Sequence, residues 1–286
     1  GVKPSIPSSP IPIMDSQRSG AAVSRGNGSS MDMRRILILG GTGEARRLAQ
    51  RLAPRTDLAV TLSLAGRTGS PAAQAVPVRT GGFGGVQGLA DYLARERTDA
   101  LIDATHPYAA RISGNAARAA ELAQVPILAM RRPAWIAVAG DRWSEVADME
   151  HAVHALGSAP RRVFVALGRN ELFPLVGAPQ HYYLVRSIDP VDPPLPVPFA
   201  DYINDRGPFD EADERALLIE QRIEIILAKN SGGSASYGKI AAARALGLAV
   251  ILLRRPPVPN VPAVESLEQV LGWLDHALTV SAARGV

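Results

Sequence analysis

Residues 34–53 read RRILILGGTGEARRLAQRLA, and this stretch decides the fold. The apolar run from Ile36 to Leu39 has the composition of a strand buried on both faces. Gly40, Gly41 and Gly43 follow it. Ala45, Leu48, Ala49 and Leu52 then fall on one helical face, with arginines and Gln50 opposite. Strand, glycine turn and helix in this order form the unit that binds a pyrophosphate. The glycines let the backbone approach the phosphates, and the helix N-terminus supplies N–H groups and partial positive charge. Thr42, Glu44 and Ala45 complete the candidate phosphate turn. The fit to G-x-G-x-x-G is incomplete, because Arg46 stands where the last glycine would be.

Outward from this unit the pattern repeats. Strands are predicted at 58–64, within AVPVRT (75–80), at 99–104 and within VPILAM (125–130), with helices over 86–96 and 107–123 between them. A second series has strands at 161–167, 181–185, within IEIILA and within LAVILL, with helices in DEADERALLIEQR and SYGKIAAARALG. The proline-rich segment 189–198 can only be a surface connection. Alternation at this spacing predicts an α/β protein of two Rossmann-like domains, each with a parallel sheet, and a cleft between them. Residues 1–32 are rich in Pro, Ser and Gly and are read as a disordered extension or a cloning remnant. Residues 33–157 are expected to form an N-terminal nucleotide-binding domain, and residues 158–286 a C-terminal domain that closes the cleft.

The second strand says which nucleotide. An NAD site carries an acid about 20 residues past the glycine turn. Here TLSLAGRT offers no acid between Val60 and Ser70, and instead Ser63, Gly66, Arg67 and Thr68. That chemistry suits a 2′-phosphate, hence NADPH. Gly82, in the turn GGFGG, is the next candidate on this side.

Composition narrows the classes. The chain has 286 residues, 31 Lys and Arg against 27 Asp and Glu, no block of five like charges and no cysteine. A nucleic-acid arm, a disulfide framework and a thiolate nucleophile are thereby excluded. No apolar run approaches the roughly 18 residues of a membrane span. A cytoplasmic enzyme without metal, nucleic acid or membrane partner is expected. Arg67, Arg79, Arg131, Arg132, Arg169, Arg186, Arg254 and Arg255 all follow apolar runs, where loops at strand ends receive anions. No G-x-S-x-G is present. Gly233, Gly238 and Lys239 imitate a P-loop, but Ile240 replaces its Ser or Thr. His151 and His154 could share a helical face, but lack a carboxylate to make a metal site.

One internal echo stands out. LIDATHPY…VPILAMRRP can be laid over EIILAKNS…LAVILLRRP at a constant offset of 123 residues, so that His106 matches Lys229 and Arg131-Arg132-Pro133 matches Arg254-Arg255-Pro256. The turns THPY and KNSG then occupy equivalent places.

Taken in order, GGTGEA, SLAGRT, GGFGG, DATHPYA, RRPAW, RGPF and KNSGG resemble the precorrin-6A reductases of cobalamin biosynthesis, from about Arg34 to about Pro256. The resemblance implies a two-domain enzyme that reduces a ring double bond of a corrin precursor with NADPH, giving precorrin-6B from precorrin-6A. Close family members use the cobalt-bearing substrate, and a non-enzymatic NADP-binding sensor is the alternative from another class. The substrate is a macrocycle rich in carboxylates, for which Arg111, Arg169, Lys229, Asn230 and Lys239 are the candidate ligands. Asp103, Thr105, His106, Pro107 and Tyr108 are expected to wall the cofactor cleft, Tyr108 packing on the nicotinamide, with Ser231, Gly232 and Gly233 opposite. His106 is expected to clamp first and to donate a proton second, and Lys239 is the other candidate for catalytic help. Transient contact with neighbouring enzymes of the pathway is a further expectation.

Overall fold

The computed structural model describes residues 33–66 and 73–283. Residues 1–32 and the calls on Arg67 and Thr68 lie outside the described residues. In chain order the elements are β1 (Arg34–Leu39), α1 (Gly43–Leu52), β2 (Leu58–Leu64), β3 (Val78–Thr80), α2 (Gly85–Arg95), β4 (Ala100–Asp103), α3 (Ala110–Ala123), β5 (Ile127–Met130), β6 (Arg142–Val146) and α4 (Met149–Leu156). The second half continues with β7 (Arg162–Ala166), β8 (Tyr182–Ser187), β9 (Ala200–Asn204), α5 (Glu211–Glu220), β10 (Ile225–Lys229), α6 (Gly238–Leu246), β11 (Ala249–Leu253), β12 (Ala263–Val264) and α7 (Leu267–Ala283).

The strands form two six-stranded sheets, ordered β12-β5-β4-β1-β2-β3 and β6-β11-β10-β7-β8-β9. Every pairing is parallel. Both orders are the doubly wound arrangement, so the fold is α/β with two Rossmann-like sheets. Helices cover both faces of each sheet, and β1 shows why its sequence is continuously apolar. Ile36 and Ile38 pack with Leu48, Leu52, Val270 and Leu274, whereas Leu37 and Leu39 pack on the other face with Leu89, Leu93 and Ala116. In the second sheet Val163 and Val165 face Ala152 and Leu156 of α4, while Phe164 faces Ile240 and Ala243 of α6.

The two halves are cross-laced. After β5 the chain runs through Arg131-Arg132-Pro133 and adds β6 to the edge of the second sheet, where Val146 accepts from the Arg254 amide at 2.8 Å. After β11 it runs through Arg254-Arg255-Pro256 and adds β12 to the first sheet, where Val264 accepts from the Arg131 amide at 2.8 Å. Sheet membership therefore does not divide at 157/158: residues 142–156 serve the second sheet, and β12 and α7 serve the first. Neither departing segment forms helix or strand at its Arg-Arg-Pro, and the prolines disfavour a helical turn there. The 123-residue offset has a physical counterpart. Helices α3 and α6 both end in left-handed caps, at Gln124 (φ 53°) and Gly247 (φ 66°), and 247 − 124 = 123. Strands β6, β9 and β12 had no sequence signal, since they are short edge strands with largely solvent-facing side chains.

Candidate functional site

In the first sheet the strand order reverses between β1 and β4, and ligands of this architecture bind at the carboxyl ends of that pair. The turn after β1 is GGTGEA. Gly41 adopts φ +112°, which a side chain would strain. Thr42 caps α1, accepting from the Ala45 amide at 3.1 Å, and its hydroxyl donates to Ala104 O at 2.8 Å. One threonine thus ties the turn after β1 to the turn after β4.

The turn after β4 is DATHPY. Asp103 is buried, and its Oδ1 accepts from the Thr105 amide and hydroxyl at 3.2 and 2.7 Å. That hydroxyl also lies 3.2 Å from Ser113 Oγ on α3. His106 Nδ1 accepts from the Tyr108 amide at 3.3 Å, which leaves the ring proton on Nε2. Burial, with the positive charges of Arg132, Lys229 and Arg255, holds the His106 pKa at about 3. The imidazole is therefore neutral at physiological pH, with Nε2–H as its one ring donor.

These two turns join the segments leaving β5 and β11 to line one pocket, whose wall includes Thr42, Glu44, Asp103, Thr105, His106, Pro107, Ser113, Arg131, Arg132 and Arg255. Arg132 spans it, donating to Glu44 at 2.8 Å and to Ser231 O at 2.6 Å. Burial opposes ionisation of Glu44, yet Arg132 and, more weakly, Arg47 outweigh it and hold its carboxyl below the usual range. Arg255 has no carboxylate partner among the described residues. It donates to the carbonyls of Asn230, Arg132 and Ser231 at 2.8, 2.9 and 3.0 Å. The pocket is a cationic floor around a neutral histidine.

The other expected site residues lie elsewhere. Tyr108 does not face the pocket: its hydroxyl donates to Leu253 O and accepts from the Asn230 amide at 2.8 Å, pinning the first sheet's turn to the second sheet. Burial pushes its phenol up to about 12. Lys229 is ion-paired with Glu171 and stands 4.9 Å from the Tyr108 ring centre. The Asn230 side chain is buried and pairs with both backbone groups of Trp135 at 2.8 and 2.9 Å. Lys239 lies inside the second sheet's helical layer, 4% exposed, donating to Ser236 O at 2.6 Å. Burial and Arg186, opposed by Glu214, push its ammonium down to about 7. It forms no part of the pocket wall. Ser231, Gly232 and Gly233 sit behind Arg132 and Arg255, with Ser231 contributing its carbonyl. Ala45 is core. Gly43 opens α1, Ser63 is a buried residue of β2, and Gly66 and Gly82 lie in the loops after β2 and β3. Arg111 and Arg169 are exposed just beyond the ends of β4 and β7.

Arg132 and Arg255 were missed as site residues. The repeated RRP was the available signal, because equivalent arginines in two repeats meet across a shared cleft.

Neutrality of His106 carries an expected pH behaviour. Its folded pKa of about 3 lies below the ordinary value near 6.5. Between these values the unfolded chain binds a proton that the folded chain does not, so stability falls as pH drops from about 6.5 to about 3. His106→Gln is expected to flatten that slope in urea titrations at stepped pH. The same substitution is expected to leave the shape of the kcat/KM profile between about pH 5.5 and 8.5 unchanged. An acid limb that disappears in the variant would show an imidazolium at work and overturn the donor reading.

A glycine turn at the reversal point of a doubly wound sheet, facing a floor of arginines, defines an α/β protein with a candidate anion-binding pocket at its switch point. The chain belongs to the precorrin-6x reductase family CbiJ/CobK, whose model matches residues 35–275. It is 53% identical over 250 residues to a precorrin-6A reductase from a Sinorhizobium species, covering 87% of this chain and 96% of that one. The solved structure of the CobK precorrin-6A reductase superposes with a TM-score of 0.82 at 49% identity, covering 86% of this chain and 97% of that chain. A cobalt-precorrin-6A reductase from Priestia megaterium is 26% identical, over 85% of this chain and 97% of that one. The chain is accordingly a reductase of the cobalamin pathway. Among the described residues no cluster of His, Cys, Asp or Glu is placed to hold a metal, and no helix is long and apolar enough to cross a membrane.

Proposed function

We propose that this chain reduces precorrin-6A to precorrin-6B with NADPH bound at the first sheet. The observation that carries the reading is the pocket at the β1/β4 reversal, where the glycine turn and DATHPY meet Arg131, Arg132 and Arg255. Identity of 53% to a precorrin-6A reductase against 26% to a cobalt-precorrin-6A reductase favours the metal-free substrate.

The residues fit a nicotinamide dinucleotide. Gly41 at φ +112° suits a pyrophosphate before α1, and the sequence carries Ser63, Arg67 and Thr68 with no acid from Val60 to Ser70, which suits a 2′-phosphate. NADPH supplies a hydride. The chain's part is to hold donor and acceptor carbons within about 3–3.5 Å. His106 Nε2–H and the fixed Asp103–Thr105 pair orient the polar edge of the nicotinamide. Arg132 and Arg255 favour the negative charge that the reduced macrocycle gathers. Exposed Arg111 and Arg169 take its peripheral carboxylates. Lys229, Asn230 and Lys239 are occupied within the protein and act through structure. The first sheet, with β12 and α7, is the cofactor domain, and the second sheet closes the substrate side. A cytoplasmic setting beside neighbouring pathway enzymes fits this role.

The test is NADPH oxidation by the purified chain with enzymatically prepared precorrin-6A, the product being identified by mass. Turnover with precorrin-6A and not with its cobalt form is the expected result. NADPH binding without turnover of either macrocycle would leave only the sensor, and the proposal would fail.

A further inference from the structure

We propose that the second sheet has an anion site of its own, at the β7/β10 reversal, and that the Glu171 carboxylate fills it as an internal ligand. The two sheets share one topology: β7, β8, β9, β10, β11 and β6 take the places of β1, β2, β3, β4, β5 and β12. The order therefore reverses between β7 and β10 as it does between β1 and β4. An open α/β sheet receives ligands at the carboxyl ends of such a pair. The sequence follows the topology. Residues 36–44 lie over residues 163–171 without a gap, so that Gly41 meets Gly168 and Glu44 meets Glu171 at a constant offset of 127 (168 − 41 and 171 − 44). The buried faces agree, since Ile36 and Ile38 match Val163 and Val165. Across the reversal, Lys229 stands where His106 stands in the first sheet.

What differs is the occupant. Gly41 has φ +112° and leads into α1, whereas Gly168 has φ −73° and leads into a short 3₁₀ turn, Arg169–Glu171. That turn brings the carboxylate back to its own strand end. Glu171 Oε2 accepts from the Gly168 amide at 3.1 Å, and Oε1 is ion-paired with Lys229 Nζ. One carboxylate thus bridges an amide after β7 and a cation at the end of β10, the two kinds of donor that hold an anion at a reversal point. In the first sheet the matching Glu44 is turned instead to Arg132. The Tyr108 ring packs beside Lys229, its centre 4.9 Å from Nζ. The Lys229 side chain is 15% exposed and that of Glu171 33%, so the cation is largely enclosed while its occupant is reached from solvent. Removal of the carboxylate leaves an ammonium and an amide around a space of carboxylate size, which selects a small oxyanion. With Glu171 in place the Lys229 charge is neutralised, and anions in solution are drawn to the first sheet's pocket instead.

Thermal unfolding of the full chain with acetate as the probe tests this. Glu171→Ala is expected to lower the midpoint by about 2–6 °C, because a partly exposed, charge-assisted pair is lost. Sodium acetate at about 100 mM is expected to restore at least about half of that loss, and sodium chloride at equal ionic strength almost none. Glu171→Gln fills the space without the charge, so acetate is expected to restore nothing there. Glu171→Ala combined with Lys229→Met removes the cation, and the acetate effect is expected to vanish with it. Acetate bound at the first sheet's pocket stabilises the unmodified chain and every variant alike, so only the excess in Glu171→Ala counts. No excess there, or an equal excess in either control variant, overturns the proposal and makes the pair an ordinary structural bridge. If Glu171→Ala does not fold on its own, recovery of its fold by acetate and not by chloride is the supporting result, and failure to recover overturns it.

Discussion

A chain ended after Pro259 is expected to lose the fold of its first sheet, although the missing residues lie at the far end of the sequence. They carry β12 and α7. Val270 and Leu274 of α7 are fully buried against Ile36, Ile38, Leu48 and Leu52, with Leu267, Leu271 and Trp273 packed beside them. Full burial of a Val or Leu side chain contributes roughly 1.5–3 kcal/mol, so these two alone supply about 3–6 kcal/mol. The partly buried residues and the bonds from Pro262 and Val264 to Ala129 and Arg131 add to this. Domains of ordinary stability have only about 5–15 kcal/mol in total. The second sheet keeps all six of its strands after the truncation. Hydrogen exchange is therefore expected to show protection lost in β1, β4 and β5 and retained in β7, β10 and β11. Loss of protection in the second sheet first would contradict the cross-laced arrangement.

Gly232→Ala is expected to cost about 3–5 kcal/mol and most of the activity, whereas Gly233→Ala costs about 1–2 kcal/mol. Both glycines have φ +68°, so both pay for a left-handed conformation. They differ in what a Cβ meets. At Gly232 it would lie 2.1 Å from Pro133 O and 2.4 Å from Arg255 Nη2, but at Gly233 the nearest atom is the flexible Arg132 Cδ at 3.1 Å. Accommodating an alanine at 232 requires the Pro133 carbonyl to move, and with it the neighbouring pairing of Asn230 with Trp135. Each hydrogen bond lost contributes about 0.5–1.5 kcal/mol. Arg255 would also be pushed from the pocket floor, so the kcat of the 232 variant falls even at temperatures where it remains folded. Urea midpoints and steady-state rates on the two variants give the comparison. Equal destabilisation would mean that backbone strain alone sets the cost and that the contact with Pro133 is immaterial.

Much of the fold and part of the site were legible in the residues. Ile36–Leu39 has no polar interruption because both of its faces are covered, and the helical face of Ala45, Leu48, Ala49 and Leu52 is buried as its period required. Gly247 and the proline-rich connection read correctly because glycine and proline act through their own backbone geometry, whereas Pro107, expected in the first turn of a helix, lies in the turn before α3, which begins at Ala110. Asp103, Thr105 and His106 were identifiable as pocket residues because a polar cluster directly after a buried strand has few structural uses.

Tyr108 and Lys239 went the other way. Each looked like a cleft residue from its place beside a turn. Their orientation depends on acceptors more than a hundred residues away for Tyr108, and on the depth of the α6 layer for Lys239. Arg132 and Arg255 could be seen as charges after strands, but not as one floor, because each is aligned by carbonyls of the opposite half.

The features legible without a structure are local: the parallel α/β alternation, the glycine turn after β1, the acid-free stretch from Val60 to Ser70 and the family resemblance. These follow from burial period, backbone freedom and residue type, which need no knowledge of distant neighbours. That each half lends its edge strand to the other, that Tyr108 is a pin and that His106 stays neutral emerges from long-range packing alone. Those outcomes rest on desolvation and on hydrogen bonds between segments remote in sequence, and such energies exist only once the two sheets have come together.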